Sequence, residues 1–178
     1  IDTIEKNQSY IKHIGDDAIA AMRSDDLFHV TTDFSKIADV DVIIICVPTP
    51  LSKHREPDLG PVLSTGKSIM PHLQKGQMVI LESSTYPGTT DTELAGVLEQ
   101  SGLKKDEDFL LAYSPEREDP GNETFSTSTI PKIVGADTPE AREMAVAVYE
   151  GVISQVVPVA TSRTAEAIKL TENIFRSV

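Results

Sequence analysis

A run of six apolar residues, Val42–Val47, constrains the fold more than any other stretch of the chain. The run is short, rich in β-branched residues and free of polar alternation, which predicts a strand buried on both faces of a parallel sheet. Pro48-Thr49-Pro50 ends it, because proline cannot donate to a strand ladder. Ligands of open α/β sheets bind outside the carboxyl ends of strands, so this turn is a candidate ligand wall. Taken alone, the run slightly favours an ordinary loop after a central strand.

Two further apolar strands, Met78–Leu81 and Phe109–Tyr113, end in the same way. A polar turn containing proline follows each of them, at Glu82–Gly88 and at Ser114–Arg117. If the three strands are parallel neighbours, their turns line one edge of the sheet and bring hydroxyls, backbone N–H groups and one Glu/Arg pair together. Loops are polar in most proteins, but three turns stiffened by proline favour a binding cleft.

Helical patterns alternate with the strands, which predicts an α/β fold: a Rossmann-like, mostly parallel sheet with helices on both faces. Predicted helix starts are Pro61, a cap at Thr89 or Thr90, Thr138-Pro139 and Ser162. Further strands are predicted at Phe28–Thr32, Lys132–Gly135 and Gln155–Val159, the last at a sheet edge because of Pro158. We expect residues 1–160 to form one partial domain and 161–178 to begin an interdomain helix.

The last helix has an apolar arc and a polar arc. Its apolar arc comprises Ala167, Leu170, Thr171, Ile174, Phe175 and Val178, and its polar arc Glu166, Lys169, Asn173 and Arg176. Pattern alone predicts an ordinary amphipathic helix with a solvated polar face. A functional polar face would have to point into a cleft.

Charge and cysteine content exclude several classes of function. The net charge of −12 argues against nucleic acid or an anionic membrane as the main partner. The one cysteine, Cys46, is predicted to be a buried core residue and not a nucleophile, and it permits neither an internal disulfide nor a cysteine-based zinc site. The four histidines show no ligand spacing, so no metal is predicted. No apolar run approaches the roughly 20 residues of a membrane span, and the N-terminus lacks a signal-peptide pattern, so a cytoplasmic protein is expected.

Five motifs together resemble one known family, the nucleotide-sugar 6-dehydrogenases. They are Ser9–Ile14, Cys46–Pro50, Glu82–Gly88, Ser114–Arg117 and Glu166–Asn173. In this order and spacing they are specific, and they cover nearly the whole chain. The Pro-Glu-Arg-Glu-Asp-Pro-Gly segment is more similar to the UDP-N-acetylglucosamine branch than to the UDP-glucose branch.

The resemblance implies a two-step, NAD-dependent oxidation of the C6 alcohol of a UDP-sugar to a carboxylate, for surface polysaccharide synthesis. NAD would contact Val47, Pro48, Thr49, Pro50, Leu51, Ser84, Thr85 and Tyr86. Thr85 and Glu116 would order a water or transfer a proton, and Arg117 would bind the sugar nucleotide. Lys169 and Asn173 would hold the reacting oxygen where negative charge develops, and Glu116 would also contact substrate.

Two parts of the family pattern are not in the sequence. A Gly-x-Gly-x-x-Gly loop would precede Ile1, and a nucleophilic cysteine would follow Val178, so we expect a piece of a longer, dimeric enzyme that is inactive alone. One alternative is a β-hydroxyacid dehydrogenase, which shares a Lys-x-x-x-Asn pair on a long helix. The other is a non-catalytic nucleotide-binding or assembly module that associates through the last helix.

Overall fold

The computed structural model describes residues 1–11, 14–25, 27–51, 57–116 and 130–177, with side chains to residue 175. It divides into two compact units, Ile1–Ser35 and Lys36–Val178. The predicted boundary near Ala160 stays a prediction. Within the described residues, no helix is long and apolar enough to cross a membrane.

The first unit contains helices α1 (Asp2–Glu5) and α2 (Asp16–Arg23). The Arg23 guanidinium joins them by donating at 2.6 Å to the Glu5 carbonyl and at 2.6 Å to Asn7 Oδ1. The prediction of a strand at Phe28–Thr32 is wrong. Strand composition is insufficient without a partner to complete the ladder, and no described strand pairs with this segment.

The second unit is built on a five-stranded sheet in the order β1-β2-β3-β4-β5. The strands are β1 (Val42–Ile45), β2 (Met78–Leu81), β3 (Leu110–Tyr113), β4 (Lys132–Ala136) and β5 (Val156–Val159). β1, β2 and β3 are parallel neighbours, β4 is antiparallel to β3, and β5 is parallel to β4. The predicted Rossmann-like, mostly parallel sheet is confirmed, with β5 at an edge as Pro158 indicated.

Helices cover both faces of the sheet. They are α3 (Gly60–Ile69), a π-helix (Thr89–Leu94) continuing as α4 (Ala95–Leu98), α5 (Pro139–Glu150) and α6 (Ser162–Ser177), with 3-10 turns at Phe34–Asp39, Met70–His72 and Glu99–Ser101. Val79 and Leu81 face a core formed with α3, α4 and Ala165 of α6, while Met78 and Ile80 face α5. Alternate residues of one strand therefore enter two different cores.

Two predictions about the Val42–Val47 run are wrong. Ile44 is 45% exposed, because α5 covers the central strands on that face while β1 lies at the edge of the described sheet. Cys46 follows the end of β1 and is exposed instead of being a core residue.

The predicted orientation of the last helix is also wrong. Glu166 and Lys169 of the polar arc are buried, whereas Leu170, Ile174 and Phe175 of the apolar arc are exposed. The reason is a close approach between α6 and β4. A Cβ on Gly135 would lie 2.8 Å from the Cβ of Ala165, so small residues fill the contact and the longer polar side chains find buried partners beside it.

Candidate functional site

The three proline-stiffened turns lie at one edge of the sheet, as the sequence predicts. Ile45, Leu81 and Tyr113 are paired across β1, β2 and β3, so the following turns start at the same level. They line an open cavity of about 330 Å³. Its lining consists of Cys46, Val47, Pro48, Thr49, Glu82, Ser83, Ser84 and Glu116.

Hydrogen bonds tie the first two turns to each other. The Val47 N–H donates to Ser83 Oγ at 3.0 Å, and the Ser83 hydroxyl donates back to the Val47 carbonyl at 2.7 Å. The Thr49 hydroxyl donates to the Ser84 carbonyl at 2.7 Å. Because these bonds pair backbone and side-chain groups of the two turns with each other, this wall of the cavity is held in one conformation before any ligand binds.

A lysine that the sequence analysis missed lies beside the cavity. Lys132 Nζ is 3.2 Å from Glu82 Oε1 and 3.1 Å from Glu116 Oε2, and the lysine is 6% exposed. Because β4 is antiparallel to β3, the first residue of β4 lies at the edge where β3 ends. Tyr113 pairs with Gly135, and extending this register by three residues places Lys132 opposite Glu116. Sequence alone does not give strand direction, which is why position 132 carried no signal.

Tyr149 completes this cluster from α5. Its hydroxyl donates to Glu82 Oε1 at 2.5 Å, and Lys132 Nζ lies 4.8 Å from the centre of its ring. Burial, followed by the bond to Glu82, raises the pKa of the Tyr149 phenol, so it remains a donor.

Cys46 is unsuited to nucleophilic chemistry. Partial burial of its sulfur and the nearby Glu82 carboxylate raise the pKa of the thiol to about 11, since both disfavour the thiolate. Cys46 Sγ instead lies 3.5 Å from Glu82 Oε2 as a donor. The sequence prediction that Cys46 is not a nucleophile agrees with this chemistry, although its reason, burial in the core, was wrong.

A buried glutamate, Glu166, caps the helix that follows the second turn. Its Oε2 accepts from the Gly88 N–H at 2.7 Å, and its Oε1 accepts from the Thr90 N–H at 2.9 Å. Oε1 also accepts from the hydroxyls of Thr90 at 2.7 Å and Thr85 at 3.3 Å. The predicted cap by Thr89 or Thr90 is therefore corrected: Gly88 is the N-cap residue, and α6 supplies the acceptor.

The remaining predicted site residues fall into three groups. Lys169 joins the third turn by donating to the Glu116 carbonyl at 2.5 Å, and Asn173 is half-buried one turn further along α6. Pro50, Leu51, Thr85 and Tyr86 do not contribute to the cavity lining; Thr85 is buried with its hydroxyl towards Glu166, and Leu51 pairs with Pro57. Arg117 lies outside the described residues.

The lining suits a ligand rich in hydroxyl and amide groups. Carboxylate oxygens of Glu82 and Glu116 and the exposed backbone around Ser84 supply acceptors, and the Pro48–Pro50 turn supplies an apolar surface. Ribose hydroxyls and a nicotinamide amide are donors of this kind, so the residues fit one end of a dinucleotide.

Comparison with known proteins agrees with this geometry. Residues 1–153 match the model of the UDP-glucose/GDP-mannose dehydrogenase family, NAD binding domain. The chain is 39% identical over 150 residues to the UDP-N-acetyl-D-glucosamine 6-dehydrogenase of Pseudomonas aeruginosa, covering 83% of this chain and 36% of that protein. It is 34% identical over 190 residues to the UDP-N-acetyl-D-mannosamine dehydrogenase of Salmonella typhi, covering all of this chain and 44% of that protein.

A solved structure shares the whole fold. The NDP-N-acetyl-D-galactosaminuronic acid dehydrogenase of Methanosarcina mazei Go1 superposes with a TM-score of 0.90 at 30% identity, over 99% of this chain and 38% of the other. The chain thus spans less than half the length of these relatives. The resemblance inferred from the five motifs is confirmed, and with it NAD as the cofactor of the matched domain. The chain belongs to the UDP-glucose/GDP-mannose dehydrogenase family and carries that family's NAD-binding domain.

Proposed function

We propose that this chain is the NAD-binding part of an enzyme that oxidises the C6 alcohol of a UDP-N-acetylhexosamine to a carboxylate, with UDP-N-acetylglucosamine as substrate. The cavity at the carboxyl ends of three parallel strands carries the proposal, because three of the motifs behind the resemblance contribute to its lining. UDP-N-acetylglucosamine is the choice because of the Pro-Glu-Arg-Glu-Asp-Pro-Gly segment and the Pseudomonas relative. The enzyme would act in the cytoplasm, and its product would be used for the synthesis of a surface polysaccharide.

Each wall has a part in this function. Val47–Leu51 and Ser84–Tyr86 hold NAD, which accepts the hydride when bound. Lys169 places a positive charge, and Asn173 an amide, near the oxygen that gains negative charge as the alcohol loses its proton. Glu116 handles that proton or orders a water, and Arg117 contacts the sugar nucleotide. Thr85 donates its hydroxyl to Glu166 and so supports the turn after β2.

The proposed site has a built-in electrostatic balance. Two glutamates would repel the diphosphates of NAD and of a UDP-sugar, but Lys132 lies between them and offsets one of the two charges. The remaining acceptors are directed at hydroxyl and amide donors. This favours a polyhydroxylated nucleotide ligand over a simple anion.

Calorimetric titration of the chain with NAD, and then with UDP-N-acetylglucosamine and UDP-N-acetylmannosamine, tests the proposal. We expect NAD to bind and Thr49→Val to weaken it about 3- to 10-fold, because the bond that fixes the Ser84 carbonyl is lost. Thr171→Val is the matched control, since among the described residues that hydroxyl bonds the helix carbonyl of Ala167, on the exposed arc. No NADH should form with the chain alone.

Other outcomes separate the alternatives. Binding of a UDP-sugar without NAD would indicate a nucleotide-binding module, and binding of neither would favour an assembly module. Binding of NAD with a β-hydroxyacid, and with no UDP-sugar, would favour the β-hydroxyacid dehydrogenase. The exposed arc of Leu170, Ile174 and Phe175 is part of the proposal as a dimer contact. Sedimentation of the chain and of Phe175→Glu would test that contact.

A further inference from the structure

Glu166 occupies an unusual position for a carboxylate. It is 0% exposed, and no lysine or arginine is within ion-pairing distance of it among the described residues. Its two oxygens accept four hydrogen bonds from the Thr85–Thr90 segment. Burying a carboxylate costs several kcal/mol unless its bonding capacity is filled, so these donors make the position tolerable.

The donors explain what the segment gains. Gly88 has φ = 103°, a left-handed conformation, and it precedes a six-residue π-helix. The first N–H groups of a helix have no acceptor within the helix, and no side chain of this segment caps it. Glu166 supplies acceptors for two of those groups from another element. The partial positive charge of a helix N-terminus adds to the attraction.

Helix α6 also holds the other side of the cleft. One turn after Glu166, on the same buried face, Lys169 donates to the Glu116 carbonyl. Glu166 thus fixes the turn after β2 and Lys169 the turn after β3. The separation of these two turns depends on one rigid helix.

We infer that Glu166 is a positioning residue: from α6 it sets the conformation of the turn after β2, and so holds the proposed NAD wall at a fixed distance from Lys169. The expected effect on NAD affinity rests on the proposed function. The expected effect on the conformation of the turn after β2 does not. Glu166 itself does not line the cavity. Its effect on the cofactor would be transmitted through Ser84–Tyr86.

Replacing Glu166 by glutamine isolates the effect. The amide keeps one acceptor oxygen and turns the other into a donor, so either the Gly88 or the Thr90 N–H must face an NH₂ group. Volume is unchanged, and no cavity forms. Glu143→Gln is the matched control, because Glu143 is exposed in the middle of α5.

Amide hydrogen exchange measured by NMR gives the conformational test. We expect the Gly88 and Thr90 amides to exchange about tenfold or more faster in Glu166→Gln, as for loss of a bond to a charged acceptor, with β2 amides such as Val79 unchanged. The Glu143→Gln control should match the wild type. If Glu166→Gln does not fold, Thr90→Val removes one donor and should accelerate the same amides less. Equal acceleration of the turn and of β2 would show loss of global stability only and overturn the inference.

NAD affinity gives the second test. Glu166→Gln should weaken NAD about tenfold at a temperature where it is fully folded, and Glu143→Gln should not. Local acceleration with unchanged NAD affinity would overturn the link to the cofactor wall. If the wild-type chain binds no NAD, the proposed function fails, while the exchange experiment still decides whether Glu166 sets the turn.

Discussion

The two edges of the sheet carry the same ionic arrangement with different surroundings. At the carboxyl edge of β1–β3, Lys132 lies between Glu82 and Glu116. At the opposite edge, Lys105 lies 2.6 Å from Asp137 and 3.4 Å from Asp106. Each lysine is largely buried and bridges two carboxylates. A buried lysine with two acidic neighbours therefore does not by itself mark a functional site.

The carboxylates of the two edges differ in where their remaining oxygens point. Asp137 directs Oδ1 to the Ser162 N–H at 3.2 Å and hydroxyl at 3.0 Å, so it caps α6. Glu82 and Glu116 instead line the cavity. Burial raises the pKa of Asp137, but the bonds from Lys105 and Ser162 outweigh it and lower that pKa overall. At the opposite edge both oxygens of Asp137 are bonded within the protein, whereas at the carboxyl edge Glu82 and Glu116 face the cavity and can accept from a ligand.

Replacing each lysine by methionine gives the largest expected effects and separates the edges. Lys132→Met should cost about 3 kcal/mol of unfolding free energy, because Glu82 and Glu116 are left without their shared cation. Lys105→Met should cost about 2 kcal/mol, since its side chain is more exposed than that of Lys132. Urea denaturation measures both values.

Only the Lys132 variant should also lose NAD affinity. Its two uncompensated carboxylates repel the diphosphate of the cofactor, whereas those at the other edge are remote from the cavity. Calorimetry with NAD at low and high salt checks this. Equal losses of affinity in the two variants would contradict the functional distinction between the edges.

A second prediction concerns Gly135, which lies in β4 between the two edges. A Cβ there would meet the Thr161 carbonyl and lie 2.8 Å from Ala165, so Gly135→Ala must push α6 off the sheet. We expect a cost of about 2 kcal/mol from overpacking. Because α6 serves both edges, NAD affinity should fall as well. Gly96→Ala is the control, since nothing lies within 4 Å of its added Cβ. Urea denaturation and NAD titration of both variants measure these effects, and equal values for the two variants would contradict the prediction.

The sequence predicted what depends on local pattern. The strands Met78–Leu81 and Phe109–Tyr113, the proline turns and the Thr138 cap of α5 all follow from apolar runs, proline and a capping residue. The predicted convergence of three turns needed only that three strands be parallel neighbours. The family was evident from five motifs.

What failed depends on partners distant in sequence. Glu166 was predicted to face solvent because a helical pattern shows which residues share an arc, not which arc the tertiary structure buries. The close contact between Gly135 of β4 and Ala165 of α6 turns that arc inward. Lys132 was missed because β4 reverses direction, which no local signal announces.

A third prediction uses pH to test Glu166. Burial is the largest cause raising the pKa of its carboxyl above the ordinary 4.5. A carboxyl whose pKa is higher in the folded than in the unfolded state contributes stability that is fully present below its unfolded-state pKa. This contribution is lost as the pH rises through its folded-state pKa. The stability advantage of the wild type over Glu166→Gln should therefore shrink as pH rises from 4.5. Urea denaturation across this range measures it, and an advantage that grows with pH would contradict the predicted direction.

The smallest effect is expected at the surface contact between α6 and the π-helix. Arg163 Nε donates to Asp91 Oδ2 at 2.6 Å and its Nη2 to Thr92 at 3.0 Å, yet the Arg163 side chain is 58% exposed. Water and salt screen such a pair, so Arg163→Ala should lower Tm by only about 1–2 °C, and by less at high salt. Exchange at Gly88 and Thr90 should not change. A loss of Tm comparable to that of Lys105→Met would mean that exposed charges hold α6 as firmly as the buried groups at either edge. Burial would then not explain why the lysine clusters stabilise the sheet more than a surface ion pair does.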